Sequence, residues 1–278
     1  MGHLPEPLQL PAATSIGGAR VLIAGGLSAT DISTDGIEIV GPSGSARTVG
    51  RLPAPVHDGA AFSIGGRAYV AGGAATTPSA DILRVGANGN SAAIGQLPVP
   101  ASDVAAAAVG VTGYVVGGYT GAVPLRSIVA VSPGKRARTV GRMPRPLRYA
   151  AVAEVYGSVL IAGGTSGTAA QRAILQFDPN RHTVTRVGTL PVPLTHAAGA
   201  TLGGRFLIIG GRGDAADSAS RRIWAFAPGS GRTTVAGRLP VALSDVAAAP
   251  AQDRVLVLGG RDGAGKVHDE ILGIVTTR

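Results

Sequence analysis

The chain has 278 residues, 45% of them hydrophobic, enough to bury a sizeable core. It has no cysteine, which excludes disulfides, thiolate metal sites and a cysteine nucleophile. The net charge of +9 comes almost wholly from arginine, since Lys135 and Lys266 are the only lysines; such a balance favours anionic partners but does not decide a fold.

No run of 18 apolar residues occurs, so no membrane span is expected. Met1 to Pro11 lacks the apolar stretch of a signal peptide. Two placements follow, a cytoplasmic protein or an extracytoplasmic one whose leader has been removed, and the second is favoured.

In chain order, Met1-Gly2-His3-Leu4-Pro5 aligns with Val49-Gly50-Arg51-Leu52-Pro53 and reads as the end of a fourth strand. Six Gly-Gly pairs then begin at Gly25, Gly72, Gly117, Gly163, Gly210 and Gly259, at intervals of 47, 45, 46, 47 and 49 residues. Each closes an apolar run such as VLIAGG or FLIIGG. A period of this length marks a repeat architecture.

The second unit gives the pattern. LPAPVHDG reads as a loop, because two prolines in four residues do not extend a paired strand. Ala60–Ile64 is a strand, Gly65-Gly66 a hairpin turn, and Arg67–Ala71 the second strand. Asp81–Val85 is the third and Ser91–Ile94 the fourth. No stretch sustains a helical period. The fold class is therefore all-β. A four-stranded unit repeated six times cannot hide both of its faces alone, but radially packed sheets hide one another. The expectation is a six-bladed β-propeller of four-stranded antiparallel blades, forming one domain over residues 1–278. The Ala-rich first strands suit the crowded axis. The chain finishes at 270–278 in alignment with a third strand. The last blade is thus expected to lack its outer strand, its edge bare or covered by Met1 to Pro5.

The Gly-Gly after the second strand, the Pro-rich loop between units and the turn at Phe177-Asp178-Pro179-Asn180 resemble the kelch-repeat propeller family over essentially the whole chain. The resemblance is to a divergent, Ala- and Gly-rich, bacterial-type member. The tryptophan usual in the fourth strand is absent, the single Trp224 falls in a third strand, and the usual third-strand tyrosine is missing. Aliphatic side chains are expected to pack between blades in their place.

In an up-and-down blade, the loops between units and the loops after Gly-Gly share one face. Kelch proteins bind ligands there, around the central mouth. The equivalent inter-unit positions are Leu10, Asp58, Asp103, Tyr149, His196 and Asp245. From the positions just before them and just after Gly-Gly come His57, Arg148, Tyr119, Arg212 and Arg261. These, Leu10 excepted, are the candidate ligand-binding residues, and as loop residues they are expected to be exposed. Asp58, Asp103 and Asp245 have a second reading as caps of their own loops. Arg148, Tyr149 and His196 break the repeat and carry more weight.

No metal-binding motif is present, and neither a metal nor another cofactor is expected. Lys135 to Arg142 make a basic rim on a third-to-fourth-strand turn, but without interleaved aromatics nucleic acid is disfavoured as a partner. Three functions stay open. The first, favoured, is a non-catalytic binding or sensor module for a small polar ligand, glycan or peptide, part of a larger multidomain protein. The second is an enzyme, since the resemblance includes sugar mutarotases and epimerases with acid–base groups at the mouth. Galactose-oxidase-like chemistry needs a cysteine and is excluded. The third is a protein-interaction scaffold.

Overall fold

The computed structural model describes residues 1–167 and 169–276, all strand, turn or loop. The chain starts with β1 (Gly2–His3). Then come β2 (Ala12–Gly17), β3 (Arg20–Leu27), β4 (Ser33–Val40) and β5 (Ala46–Arg51), which pair in order as one antiparallel sheet. The second unit gives β6 (Ala60–Ile64), β7 (Arg67–Ala71), β8 (Asp81–Val85) and β9 (Ser91–Gln96). Three of these have the bounds expected from alternation and turn glycines. The third unit gives β10 (Ala105–Val109), β11 (Thr112–Val116), β12 (Ser127–Val131) and β13 (Arg138–Arg142).

Beyond it lie β14 (Ala151–Val155), β15 (Ser158–Ala162), β16 (Gln171–Asp178), β17 (Thr183–Leu202), β18 (Arg205–Arg212), β19 (Ser220–Ala227) and β20 (Arg232–Leu243), joined as one seven-stranded sheet. The joint is β17. Its first part, Thr183 to Thr189, pairs with β16, and its last part, Thr195 to Leu202, pairs with β18. Leu190-Pro191-Val192-Pro193 runs between them as extended chain, where a loop was expected. Proline's fixed φ suits extended backbone, and these residues need no ladder donor because they face no partner strand.

The last sheet holds β21 (Ala247–Ala251), β22 (Arg254–Leu258) and β23 (Glu270–Val275) in the order β1-β23-β22-β21. Of the two expected outcomes for the last blade's outer edge, bare or covered by Met1 to Pro5, the structure shows the second. Gly2 and His3 pair with Ile271 and Glu270, and the Met1 ammonium donates to the Ile271 carbonyl at 2.9 Å. The cover is partial, since β23 continues from Leu272 to Val275 beyond the two paired residues. Thr277 and Arg278 of the expected strand lie outside the described residues.

The innermost strands β2, β6, β10, β14, the end of β17 and β21 pack side by side round an axis, and β21 returns to β2. This is a β-propeller. Ala13, Ala61, Ala106, Val152, Gly199 and Ala248, one from each inner strand, line both the upper and the lower cavity of the axial channel and form its waist.

Each Gly-Gly pair has a specific duty. In five of the six pairs the second glycine donates its N–H to the carbonyl of the next inter-unit loop: Gly26 to Val56, Gly73 to Ala101, Gly118 to Leu147, Gly164 to Leu194, and Gly260 back to Leu8, at 2.8–2.9 Å. The first glycine has φ near +60°, and a Cβ there would collide with that same carbonyl.

Neighbouring units share buried clusters. Phe62, Phe177, Phe206 and Phe226, the only phenylalanines, are all buried to 2% exposure or less. The expectation of aliphatic packing therefore holds only in part. Phe177 lies against Gly141 and Phe226 against Gly188, on the outer strands of the preceding units, where a glycine leaves room for a ring.

Candidate functional site

Leu10, Asp58, Asp103, Tyr149, His196 and Asp245 all adopt the left-handed conformation, with φ between 53° and 60°. Each immediately precedes or opens the turn into an inner strand. Five backbone bonds link them around the axis: Asp58 N–H donates to Leu10 O, Tyr149 to Asp103, His196 to Tyr149, Asp245 to His196 and Leu10 to Asp245, at 2.8–3.2 Å, with the sixth step, Asp103 to Asp58, left open. These bonds hold a conformation that costs a non-glycine residue roughly 1 kcal/mol. Aspartate and histidine tolerate it better than most. The loop-cap reading of the aspartates thus gains a backbone reason, although their side chains turn into the channel.

The residues one step earlier pair reciprocally with those after Gly-Gly. The pairs are Gln9 with Leu27, His57 with Ala74, Ser102 with Tyr119, Arg148 with Thr165, Thr195 with Arg212, and Ser244 with Arg261. All three sequence sets therefore meet at one mouth. The basic run Lys135 to Arg142 lies at the β12–β13 turn and on the outermost strand β13.

The side chains are connected. Arg148 forms an ion pair with Asp103 and lies over the Tyr119 ring, 4.1 Å from its centroid. The Tyr149 hydroxyl donates to Asp58 at 3.4 Å. The Tyr149 ring stacks on His196, with centroids 3.7 Å apart. Arg212 donates to His196 Nε2 at 3.1 Å. Asp245 accepts from Ser244 Oγ at 2.5 Å and lies 3.9 Å from His196. His57 Nδ1 meets Ser33 Oγ at 2.8 Å, and its Nε2 is 3.6 Å from Asp58. The Arg261 guanidinium rests near Gly265, at the site's edge.

Expected exposure is corrected here. The His196 side chain is 9% exposed and that of Arg148 24%, and Asp58, Asp103 and Asp245 are buried. Burial sets the electrostatics. It holds Asp58 well above the usual carboxylate range, helped by the charges of Asp103 and Asp245. It also raises Asp245, against the Ser244 hydrogen bond. His196 is pushed down to about 3 by burial and by the Arg212 and Arg148 charges. Burial lowers His57 as well, opposed by Asp103. Tyr149 is raised by burial and then by Asp58 and Asp103.

At neutral pH His196 is therefore uncharged, and its tautomer follows from its partners. Arginine only donates, so Nε2 accepts from Arg212 and Nδ1 carries the proton toward Thr195 Oγ1 at 3.1 Å. The mouth offers a neutral imidazole, a carboxyl at Asp58 whose hold on a proton is strengthened by burial, a phenol and two guanidinium groups. It encloses about 140 Å³, with a side pocket of about 260 Å³ between Arg148, Thr165, Thr195 and Arg212. Among the described residues no group of three or more His, Asp or Glu side chains converges to hold a metal.

Sequence reasoning missed Ser33 and Asp214. Ser33 starts a third strand and reaches across to His57; nothing in its local sequence signals that. Asp214 follows Gly213 and lines the side pocket, with a turn-like context as its only signal.

The fold and mouth define a β-propeller with a polar axial site. The chain is similar to the solved structure of YjhT, with a TM-score of 0.87 and 14% identity over 100% of this chain and 97% of that one. No family model and no curated protein matches the sequence. No helix among the described residues is long and apolar enough to cross a membrane.

Proposed function

We propose that the chain is a six-bladed, kelch-type propeller forming one domain, and that its mouth is a binding site for a small polar ligand. The blade count reads the seven-stranded sheet as two blades sharing the continuous strand β17. The equivalence of the six inner strands supports that reading. The observation that carries the function is the cluster of buried, connected polar groups on a backbone-held ring, opening into a cavity. Polar groups are costly to bury, and a rigid ring that presents them is preorganised for a partner that satisfies them. Asp58, Asp103, Asp245, Tyr149, His57 and Tyr119 supply hydrogen bonds. Arg148, Arg212 and Arg261 supply charge on one side, and His196 supplies a neutral acceptor.

The test is a thermal-shift screen against sugars, nucleotides and amino acids, followed by titration of any hit into the wild type and Arg212→Ala. The expected result is a saturable hit that Arg212→Ala weakens by about tenfold, the loss of one charge-assisted contact. A hit that binds the variant equally well would remove the mouth as its site.

A second reading, a sugar mutarotase or epimerase, draws on one specific observation. Asp58, raised well above the usual carboxylate range by burial, accepts from Tyr149, whose ring stacks on the uncharged His196, an arrangement suited to proton transfer. Acceleration of anomer exchange in a sugar hit, lost in Asp58→Asn, would favour this reading over simple binding.

A further inference from the structure

A second cavity lies away from the axis, between the β13–β14 loop, the start of β16 and the first part of β17. It encloses about 470 Å³. Its walls are Pro144, Leu147, Leu175 and Pro193, and its polar lining is dominated by Arg145, Arg172 and Arg186.

The same groove exists in the second unit, and the strand registers make the comparison residue by residue. Ala162 pairs with Ile174 as Ala71 pairs with Ile82, and Leu175 pairs with Arg186 as Leu83 pairs with Ala93. On that alignment Arg145, Arg172 and Arg186 stand where the second unit has Ala54, Ala80 and Ala93. Ala173 stands where the second unit has Asp81, which lines its smaller groove of about 280 Å³. One groove is neutral to acidic. The other has lost the acid and gained three guanidinium groups.

Two of the three are already positioned. Arg172 Nε donates to the Leu190 carbonyl at 2.9 Å, and Arg186 donates to Thr189 Oγ1 at 2.7 Å. Neither acceptor is charged. Among the described residues no carboxylate lies within ion-pair distance of Arg145, Arg172 or Arg186. Only Arg51, Arg148, Arg181 and Arg254 have one among the described residues, so what marks the groove is the gathering of three guanidinium groups rather than their lack of partners. Arg221 holds the Leu239 carbonyl as Arg172 holds Leu190, so Arg172 also has a structural duty. Arg145 and Arg186 carry the difference in charge.

We infer that this groove binds a small organic anion with an apolar body, a carboxylate or phosphate ester whose charge meets Arg145 and Arg186 and whose body lies against the prolines and leucines. Charge complementarity selects the anion. The groove's volume suits a ligand of a few hundred cubic ångströms. Guanidinium groups match the geometry of such oxyanions.

The experiment is calorimetric titration of the intact protein at low salt with 1-naphthyl phosphate, and with uncharged 1-naphthol as its control. The expected result is saturable 1:1 binding of the phosphate, with the naphthol at least about tenfold weaker. The double variant Arg145→Ala/Arg186→Ala, which installs the residues of the second unit, is expected to lose about tenfold or more of the affinity. Arg145→Glu alone provides a second measurement at an exposed position. Arg212→Ala, at the mouth, is expected to leave the binding unchanged. Equal affinity for naphthol, undiminished binding in both groove variants, loss in Arg212→Ala, or no saturable binding would each overturn the proposal.

Discussion

Two kinds of seam between neighbouring units differ in how they are filled. Where β13 meets β16, and where the first part of β17 meets β19, a phenylalanine fills the space over a glycine: Phe177 on Gly141 and Phe226 on Gly188. These seams join units that follow one another in the chain. The seam that closes the ring, β1 and β21–β23 against β2–β4, has no aromatic residue. Leu4, Leu8, Ile23, Val40 and Leu258 fill it, and beside them lies Glu38, 3% exposed, with Oε2 unpaired among the described residues. The five other units place Leu83, Val129, Leu175, Trp224 or Leu272 at that position. Three of the chain's four glutamates, Glu6, Glu38 and Glu270, gather here. His268 is held between Glu270 and Asp262, and His3 meets Asp269. The clusters that join the first unit to the second and the fifth to the sixth are also purely aliphatic, so what sets the closing seam apart is its titratable groups.

The strongest test of this contrast is truncation on the packed side. Phe177→Ala is expected to cost about 3–5 kcal/mol in chemical denaturation, from lost burial and the cavity left. A loss below about 1 kcal/mol would mean that the ring is not what seals that seam. Of similar size is Arg148→Ala at the mouth, which strands the buried Asp103 and is expected to cost about 3–5 kcal/mol. Its melting temperature reports that directly. A melting temperature equal to the wild type's would show that Asp103 is solvated.

Next comes the closure seam and its dependence on pH. Burial first, and then the charge of Glu6, raises Glu38 from 4.5 to about 7. The folded state therefore holds a proton that the unfolded chain has released between those values. The resulting stability is fully present below about pH 4.5 and is lost as pH rises through 7, a change of about 3 kcal/mol. Glu38→Leu, the residue of the second and fourth units, is expected to flatten that dependence and to stabilise the protein at pH 8. Denaturation midpoints at pH 5, 6, 7 and 8 for both proteins decide it, and parallel curves would clear Glu38 of the role. The smallest effect is at the rim. His3→Ala removes an exposed pair with Asp269 and is expected to change stability by less than about 1 kcal/mol. A larger loss would mean that the two-residue strand β1 depends on that side chain.

The strand pattern was legible because backbone demands repeat: alternation, turn glycines and inter-unit prolines recur every unit, so β6, β7 and β8 could be bounded from sequence. The mouth was legible for the same reason, since one position per unit has one place round an axis. What did not repeat was harder to read. The burial of Arg148 and His196 depends on rings and carboxylates supplied by neighbouring units. Ser33 reaches His57 only because β4 and the next inter-unit loop adjoin in space. Pro191 and Pro193 looked like breakers and proved compatible with extended chain, because no partner strand asks for their missing donors. Glu38 had no signal in the sequence, because only the strand registers place it in a column of apolar residues.

The linked backbones of Leu10, Asp58, Asp103, Tyr149, His196 and Asp245 have one further implication. The bonds run amide to carbonyl in a single rotational sense, and no side chain takes part in them. The frame's bonds thus do not depend on the side chain at each position, and a leucine, a tyrosine, a histidine and three aspartates occupy equivalent places with nearly the same φ. Recognition at such a mouth can be rewritten one residue at a time while the lettering's baseline stays fixed. The scaffold behaves as a socket with interchangeable pins.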